Sequence, residues 1–497
     1  MPGSDTLQYA KPETLFDRDA EWDALAAFAG DRRPEPGLGV VSGRLRQGKT
    51  YLLQKLTAET GGFYFAAQEA APVESLRRLG EEFARYSGDG PPSHWRGWED
   101  AVDALLALGG QRPLPVVIDE FPHLVRQSPE LPSAIHRAFQ RIRARGTDGG
   151  SRTRLLLCGS PRPIMSRLFG ASSPLRALAD LDLTVRPLDF RQAARFWGTA
   201  DPRLALLVHA VVGGSPAYRC AYVGDDTPGD ERDFDAWVCR TALNPGLPLY
   251  HEADHLLDDE AGHNGHDLCH SVLGAVALGF PTEGAVAKYL DTPLGDLSRC
   301  VEALRESELL EVGPDAFRPK VHRLQIGEPL LAFEHAVTRP HRSALEQGTA
   351  ADVWRRARTV FHQAVMEPHF ALACREWAAR FASAATFGAP PASAAHGCLD
   401  RPGRRAALDA EVVVRGQGEP GRAPLLSVGV ARWNEVMDLH HLERIRHLLT
   451  LLATRGEDIT HARPACYSGT GFSPGLRAAE EQGDVVLVDL DRLYRGR

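Results

Sequence analysis

The sequence is short of lysine, of apolar runs and of paired cysteines. No run of about 18 apolar residues occurs, so no membrane-spanning helix is expected. The opening stretch MPGSDTLQYAKPETLFDRD carries no apolar core of the kind a secretory signal needs. The eight cysteines, at positions 158, 220, 239, 269, 300, 374, 398 and 466, are scattered singly, and no CxxC occurs. Neither a disulfide framework nor a zinc ribbon is therefore expected, and reduced thiols in the cytoplasm are the simpler reading. Lysine occurs only at Lys11, Lys49, Lys55, Lys288 and Lys320, and arginine supplies the rest of the 57 basic residues. With abundant Ala, Gly and Pro this looks like GC-rich coding, and it makes a retained lysine such as Lys49 stand out. Positive charge is not in excess either. A formal net charge of -8 argues against a protein that coats nucleic acid over its whole surface, and leaves a local basic face open.

What is present is ordinary globular material, 43% hydrophobic and 25% charged, over 497 residues. At one domain per ~150 residues that is about three domains. Residues 1 to 15 read as a polar leader, and no tandem repeat is visible. Periodicity predicts helices over 16–28, 47–58, 95–108 and 133–145. Short apolar runs over 37–42, 62–67, 114–118, 155–159 and 184–188 read as strands. Buried strands alternating with helices predict an α/β domain with a parallel sheet. After about residue 190 the pattern turns helical, over 190–197 and 202–212. Residues 265–325 read as three short helices and a β-wing. Beyond 340 a helical start leads to strands over 410–414, 424–430 and 484–489. The Gly/Pro/Ala-rich stretch 388–405 reads as a loop.

Gly43-Arg44-Leu45-Arg46-Gln47-Gly48-Lys49-Thr50 fits GxxxxGK[ST], with an apolar strand before it and a helix after it. Glycines let backbone N–H groups point into such a loop and cradle phosphate oxygens. The following helix adds its positive dipole end. Lys49 is expected to reach the β- and γ-phosphates of ATP, and the Thr50 hydroxyl to ligate Mg²⁺. A second run, Leu114-Pro115-Val116-Val117-Ile118-Asp119-Glu120, ends in two carboxylates. Asp119 is expected to hold Mg²⁺, and Glu120 to polarise the attacking water. The strand that ends at Gly159 leads into Ser160, expected to sense the γ-phosphate.

These motifs, in this order, resemble the archaeal-type ATPase family within the AAA+/STAND-like P-loop proteins. The resemblance runs through Phe16-x-Arg18-x-x-Glu21, GRLRQGKT, FYFAAQ, VVIDEFPHL, LLLCGS, RPLDFRQAARF and VVGGSPAY. It implies an ATPase core over 1–190 with an ASCE-type sheet, in which the Ser160 strand lies beside the Asp119 strand. It also implies a helical lid and linker over 191–260, a winged helix over 261–335, and over 336–497 a restriction-endonuclease-like α/β domain of PD-(D/E)XK type, whose own residues, given below, lead us to expect it to be inactive. It places Pro216 in a lid turn. Arg176 would contact the γ-phosphate, in cis or from a neighbour; the alternative is an ordinary surface arginine.

Three further features carry less. His251-Glu252-Ala253-Asp254-His255 fits HExxH, a zinc pattern on a helix, with His263, His266 and His270 beyond it. Its surroundings resemble the family's linker, where aliphatic and acidic residues dominate. In the winged-helix segment Arg299 and Arg305 fall on the expected recognition helix, with Lys320, His322 and Arg323 near the wing, opposed by Glu302, Glu306 and Glu308. In the C-terminal domain Asp409 matches the first nuclease acid. Val430 and Arg432 stand where a metal-binding acid and a lysine belong, and Ala371 where a helical glutamate belongs, with Glu367 one turn earlier. The expected function is an ATP-hydrolysing, Mg²⁺-dependent switch. DNA and an unidentified protein are its expected partners, and assembly into oligomers is open. The alternatives are an ATP-dependent transcription regulator, an ATP-gated nuclease and a scaffold that binds nucleotide with little turnover.

Overall fold

A computed structural model describes residues 9–88, 95–145, 150–160, 162–170, 173–261, 266–400, 407–418 and 423–496. The His263 position of the histidine-rich segment lies outside the described residues. The chain forms two compact units. The first is Met1–Pro187 with the short segments Ser215–Ala217 and Asp258–Gly262; the second is the remainder.

In the first unit five strands form one sheet: β1 (Gly37–Ser42), β2 (Phe63–Ala66), β3 (Leu114–Asp119), β4 (Thr153–Gly159) and β5 (Ala179–Thr184), in the order β2-β3-β4-β1-β5. Every pairing is parallel. Helices α1 (Asp19–Gly30), α2 (Lys49–Thr60), α3 (Pro72–Ser87), α4 (Trp98–Ala107), α5 (Phe121–Gln127) and α6 (Leu131–Arg145) supply the crossovers and cover the sheet. β1, β3 and β4 are buried along their whole length, as strands covered on both faces must be. Successive residues feed opposite cores. Val116, Ile118, Leu155 and Leu157 pack with Trp98, Leu105 and Phe139. Val117, Leu156 and Cys158 pack with Trp22, Leu25 and Leu53. Each such fully buried aliphatic side chain stabilises the fold by about 1.5–3 kcal/mol. Pro115 is tolerated in a central strand because β2 pairs with β3 only from Val116 onward.

The strand expected over 184–188 is corrected to Ala179–Thr184. β5 is an edge strand in which Asp180 and Asp182 alternate with half-buried leucines, so its sequence lacks the apolar run that marks the inner strands. Helix α3 was not expected from the sequence. It starts with a proline at its first turn and buries Ser75, Leu79 and Gly80.

The second unit opens with helices, including Phe190–Trp197 and Pro202–Val212. The helices His266–Ala277, Glu283–Leu290 and Leu294–Glu306 precede an antiparallel hairpin of β6 (Leu310–Pro314) and β7 (His322–Ile326). Thr282 caps its helix through the Ala285 N–H. A second five-stranded sheet follows: β8 (Pro391–Leu399), β9 (Leu408–Gly416), β10 (Leu425–Arg432), β11 (Arg463–Ser468) and β12 (Val486–Val488), in the order β12-β11-β10-β9-β8. It is mixed, parallel from β10 to β12 and antiparallel from β8 to β10. The loop expected over 388–405 is therefore corrected. Half of it, Pro391–Leu399, is β8, an edge strand that pairing with β9 holds extended, and 401–405 lie outside the described residues. Among the described residues no helix is long and apolar enough to cross a membrane.

Candidate functional site

The order of the first sheet brings three sequence-distant strand ends together. The β1 C-terminus runs into the glycine loop, β4 lies beside β1, and β3 lies beside β4. The loop then enters α2, whose N-terminal N–H groups are free of helical partners and carry the positive dipole end. Two positions require glycine. At Gly43, with φ 147°, an added Cβ would stand 2.3 Å from the Val185 carbonyl oxygen. Gly48, with φ 87°, holds the left-handed turn into α2, and a Cβ there would meet open space. Arg46 also has positive φ, at 66°. Leu45 lies between these turns. The buried Lys49 folds its Nζ onto the Gly43 and Arg44 carbonyls, at 2.9 and 2.6 Å.

Asp119 is 1% exposed and is the hub of the acid side. Its Oδ2 accepts from the Thr50 hydroxyl at 2.7 Å and from the Tyr64 hydroxyl at 2.8 Å. Its Oδ1 accepts the Glu120 N–H at 2.9 Å. Glu120 sits at φ 52°, in left-handed backbone that turns the chain from β3 into α5. Such a conformation in a non-glycine residue costs on the order of 1–3 kcal/mol and concentrates at functional sites. Burial, then the charge of Asp119, raises the Tyr64 hydroxyl above its ordinary range, so it stays a donor. Ser160 donates to the Gly43 carbonyl at 3.3 Å, which ties the end of β4 to the loop.

Two further groups hold the loop from outside. Arg18, buried with φ 64°, pairs with Glu21 at 2.9 Å and donates to the Gln47 carbonyl at 3.3 Å. The Gln47 amide donates to the Ser215 hydroxyl at 2.9 Å, while its own Oε1 is buried without a hydrogen-bond partner. Arg46 lies 3.6 Å from Asp259. Arg176 opens a short turn ahead of β5 with its side chain exposed, outside this cluster. The structure thus brings together Lys49, Thr50, Asp119, Glu120 and Ser160. Sequence reasoning missed Tyr64; its one signal is a hydroxyl in the middle of the β2 run FYFA.

The set suits a nucleotide with a divalent cation. A cationic side chain, a row of helix N–H groups and an open glycine surface face one side, and a hydroxyl and a carboxylate lie next to them.

The other candidate residues are placed as follows. His251 and His255 are exposed, whereas Glu252 is fully buried, so the three side chains do not share one surface. Among the described residues no group of three His, Cys, Asp or Glu could hold a metal ion. Arg299 and Arg305 pair with Asp296 and Glu302 on their own helix. Lys320 and His322 are exposed, and Arg323 lies 3.7 Å from Asp315. In the second sheet, Val430 and Ala371 are buried. Arg432 pairs at 3.0 Å with Glu411, a residue the sequence reading did not single out, and Glu367 accepts the Trp433 N–H at 3.2 Å. Asp409 lies 3.5 Å from His396.

No known family profile matches the chain. An uncharacterized protein of Methanocaldococcus jannaschii is 23% identical over 316 residues, which cover 62% of this chain and 66% of that protein. Among solved structures, the Walker-type ATPase of Pyrococcus abyssi superposes with TM-score 0.48 at 19% identity, over 66% of this chain and 97% of its own. The Aeropyrum pernix ORC2 protein, solved as ADPNP-ADP complexes, gives 0.40 at 16% identity, over 71% of this chain and 97% of its own. Independently of these likenesses, the strand order and the loop between β1 and α2 give this chain a P-loop α/β fold of AAA+-like order.

Proposed function

We propose that this chain binds ATP with Mg²⁺ and hydrolyses it, as a nucleotide-driven switch. One observation carries the reading: Lys49, Thr50, Asp119, Glu120 and Ser160, which span over a hundred residues of sequence, meet at one end of the parallel sheet. Residues 43–50 would wrap the phosphates with backbone N–H groups, and Lys49 would leave the loop carbonyls for the β- and γ-phosphates. Thr50 and Asp119 would hold the cation, which when bound neutralises charge on those phosphates. Glu120 would orient and polarise the attacking water, and Ser160 would contact the γ-phosphate. Arg176 is exposed, which favours a contact with a second molecule over one in cis.

We read the remaining organisation as a lid over 191–260, a winged helix over 261–335 and a nuclease-related but inactive domain over 336–497. A buried valine at 430 and the Arg432–Glu411 pair remove the acid and the lysine that nuclease chemistry would need. The three helices and hairpin support a second reading, an ATP-dependent transcription regulator, although the arginines of Leu294–Glu306 are already paired. The reduced, unpaired spacing of the cysteines supports a cytoplasmic setting. Steady-state ATP hydrolysis by the full chain, with and without double-stranded DNA, tests these readings. Mg²⁺-dependent turnover is expected, and DNA stimulation would favour the regulator. Failure to bind ATP would refute the proposal.

Tyr64 adds a sharper expectation. Tyr64→Phe removes one hydrogen bond to a charged acceptor, worth about 1.5–3 kcal/mol. The half-saturating Mg²⁺ concentration should rise by roughly 10- to 100-fold through a less firmly held Asp119. A Mg²⁺ titration read by ATP binding decides it: an unchanged midpoint means that Tyr64 only packs.

A further inference from the structure

Two of the eight cysteines meet inside the second unit. Cys269 on the helix His266–Ala277 and Cys300 on the helix Leu294–Glu306 are 31 positions apart in sequence, and their sulfurs are 2.8 Å apart. Both are buried, at 3% and 7% exposure, and both are free thiols. The side chains belong to the first and third helices of the three-helix segment, which pack directly on one another. No group of three metal-ligating side chains forms among the described residues, so the pair stands as two thiols and not as part of a wider ligand cluster. Thiols that share a helix-helix contact by accident stand at ordinary van der Waals distance. This pair is nearer, at 2.8 Å against the ~2.0 Å of a formed disulfide bond.

We propose that Cys269 and Cys300 are an oxidisable pair, converted by a peroxide into a disulfide that clamps the first and third helices together. The two thiols are not equivalent. The Cys300 S–H donates to the Cys269 sulfur, which eases ionisation of Cys269 and, with burial, hinders that of Cys300. Cys269 is therefore the attacking sulfur. Its thiolate takes one oxygen of the peroxide; the O–O bond breaks and the other oxygen leaves as hydroxide, becoming water. The product is a sulfenic acid on Cys269. Cys300 then attacks that sulfur as its thiolate, the S–O bond breaks, and a second water leaves as the S–S bond forms. Two thiols and one peroxide give one disulfide and two waters. The bond closes a loop that contains the helix Glu283–Leu290 and the turn after it, so it holds the segment as one body. The proposal is independent of the nucleotide site.

The test is oxidation of the full chain with a small excess of hydrogen peroxide, followed by thiol counting in denaturant and mass spectrometry of a non-reduced digest. Six free thiols and a linked Cys269–Cys300 peptide are expected, with a thermal midpoint of this unit raised by on the order of 5 °C. A reductant should restore eight thiols and the original midpoint. In the presence of dimedone, Cys300→Ser should trap a sulfenic acid on Cys269, whereas Cys269→Ser should give no adduct on Cys300. Thermal melts of both serine variants under reducing conditions confirm that they fold. Eight thiols after oxidation, or a link that instead joins the more exposed Cys220 and Cys239, overturns the proposal. Equal labelling of the two variants overturns the assigned order of attack.

Discussion

Lys49→Ala should abolish measurable ATP turnover, and so should Glu120→Gln, but in different ways. The buried Lys49 places a cation whose nitrogen touches two carbonyls of the loop. Alanine there removes a charge from the phosphate cradle and leaves the Gly43 and Arg44 carbonyls facing the same space. Loss of one well-placed electrostatic donor costs about 10²- to 10³-fold in rate, and here substrate affinity falls as well. Glu120→Gln keeps the shape and the left-handed turn into α5, and removes only the carboxylate charge proposed to polarise water. General-base loss of this kind costs roughly 10²- to 10⁴-fold in kcat, with nucleotide binding retained. Turnover assays paired with equilibrium ATP binding separate the two. Full activity in Glu120→Gln would remove Glu120 from the mechanism. Tight ATP binding by Lys49→Ala would remove Lys49 from the phosphate site.

The second large effect is on stability. Four histidines of the second unit, the buried His335 and His369 and the half-buried His209 and His396, sit where the charged form is disfavoured. His209 and His369 share a hydrogen bond at 2.9 Å, one ring donating and the other accepting. Burial lowers His209 to about 4 against the opposing pull of Asp189, and burial and His209 hold His369 well below its ordinary value. Burial lowers His335 to about 3, reinforced by His270, Arg339 and Arg342 and opposed by Asp254. His396 is lowered to about 3 by burial and then by Arg323, Arg375 and Arg318, with Asp409 at 3.5 Å on its other side.

The sign follows from linkage. Each group binds its proton more weakly when folded, so stability is complete above the unfolded value of about 6.5 and falls as pH drops below it. The loss is about 1.4 kcal/mol per pH unit for each histidine until the folded value is reached. At pH 5.5 the four together cost up to about 5 kcal/mol, a large share of the 5–15 kcal/mol that holds a domain. Carboxyls raised by burial, the buried Glu334 and the half-buried Glu367 and Glu376, act in the opposite sense and offset part of this at lower pH. Calorimetry between pH 7.5 and 5.5 should show the midpoint of this unit fall by on the order of 10 °C. His335→Asn should flatten the slope by one group's share. A flat midpoint across that range would mean that the histidines are solvated.

Parts of this molecule were readable along the chain because the chemistry is local. The phosphate loop is eight consecutive residues, and its glycines, lysine and threonine do their work within one turn of backbone. The acid pair follows a buried strand directly, so Asp119 and Glu120 carry their context with them. The inner strands announce themselves because both faces are covered, and their sequences are apolar throughout.

Other parts needed the third dimension. An edge strand has one face in water, so β5 could carry alternating aspartates and hide beside the more apolar 184–188 stretch. β8, PASAAHGCL, has weak strand preference of its own; pairing with β9 decides it. Tyr64 reaches Asp119 across 55 positions, and Cys269 reaches Cys300 across 31. Glu411 finds Arg432 only because β9 and β10 are neighbours.

The sequence by itself determined the phosphate loop, the acid pair and the alternation of buried strands and helices, because each depends on residues within reach of their own backbone. Only the tertiary structure decided which strand ends meet, which hydroxyl braces Asp119, and which histidines and thiols are shut away from water. Those depend on sheet order and helix packing, which bring together residues whose separation along the chain says nothing of their distance in space.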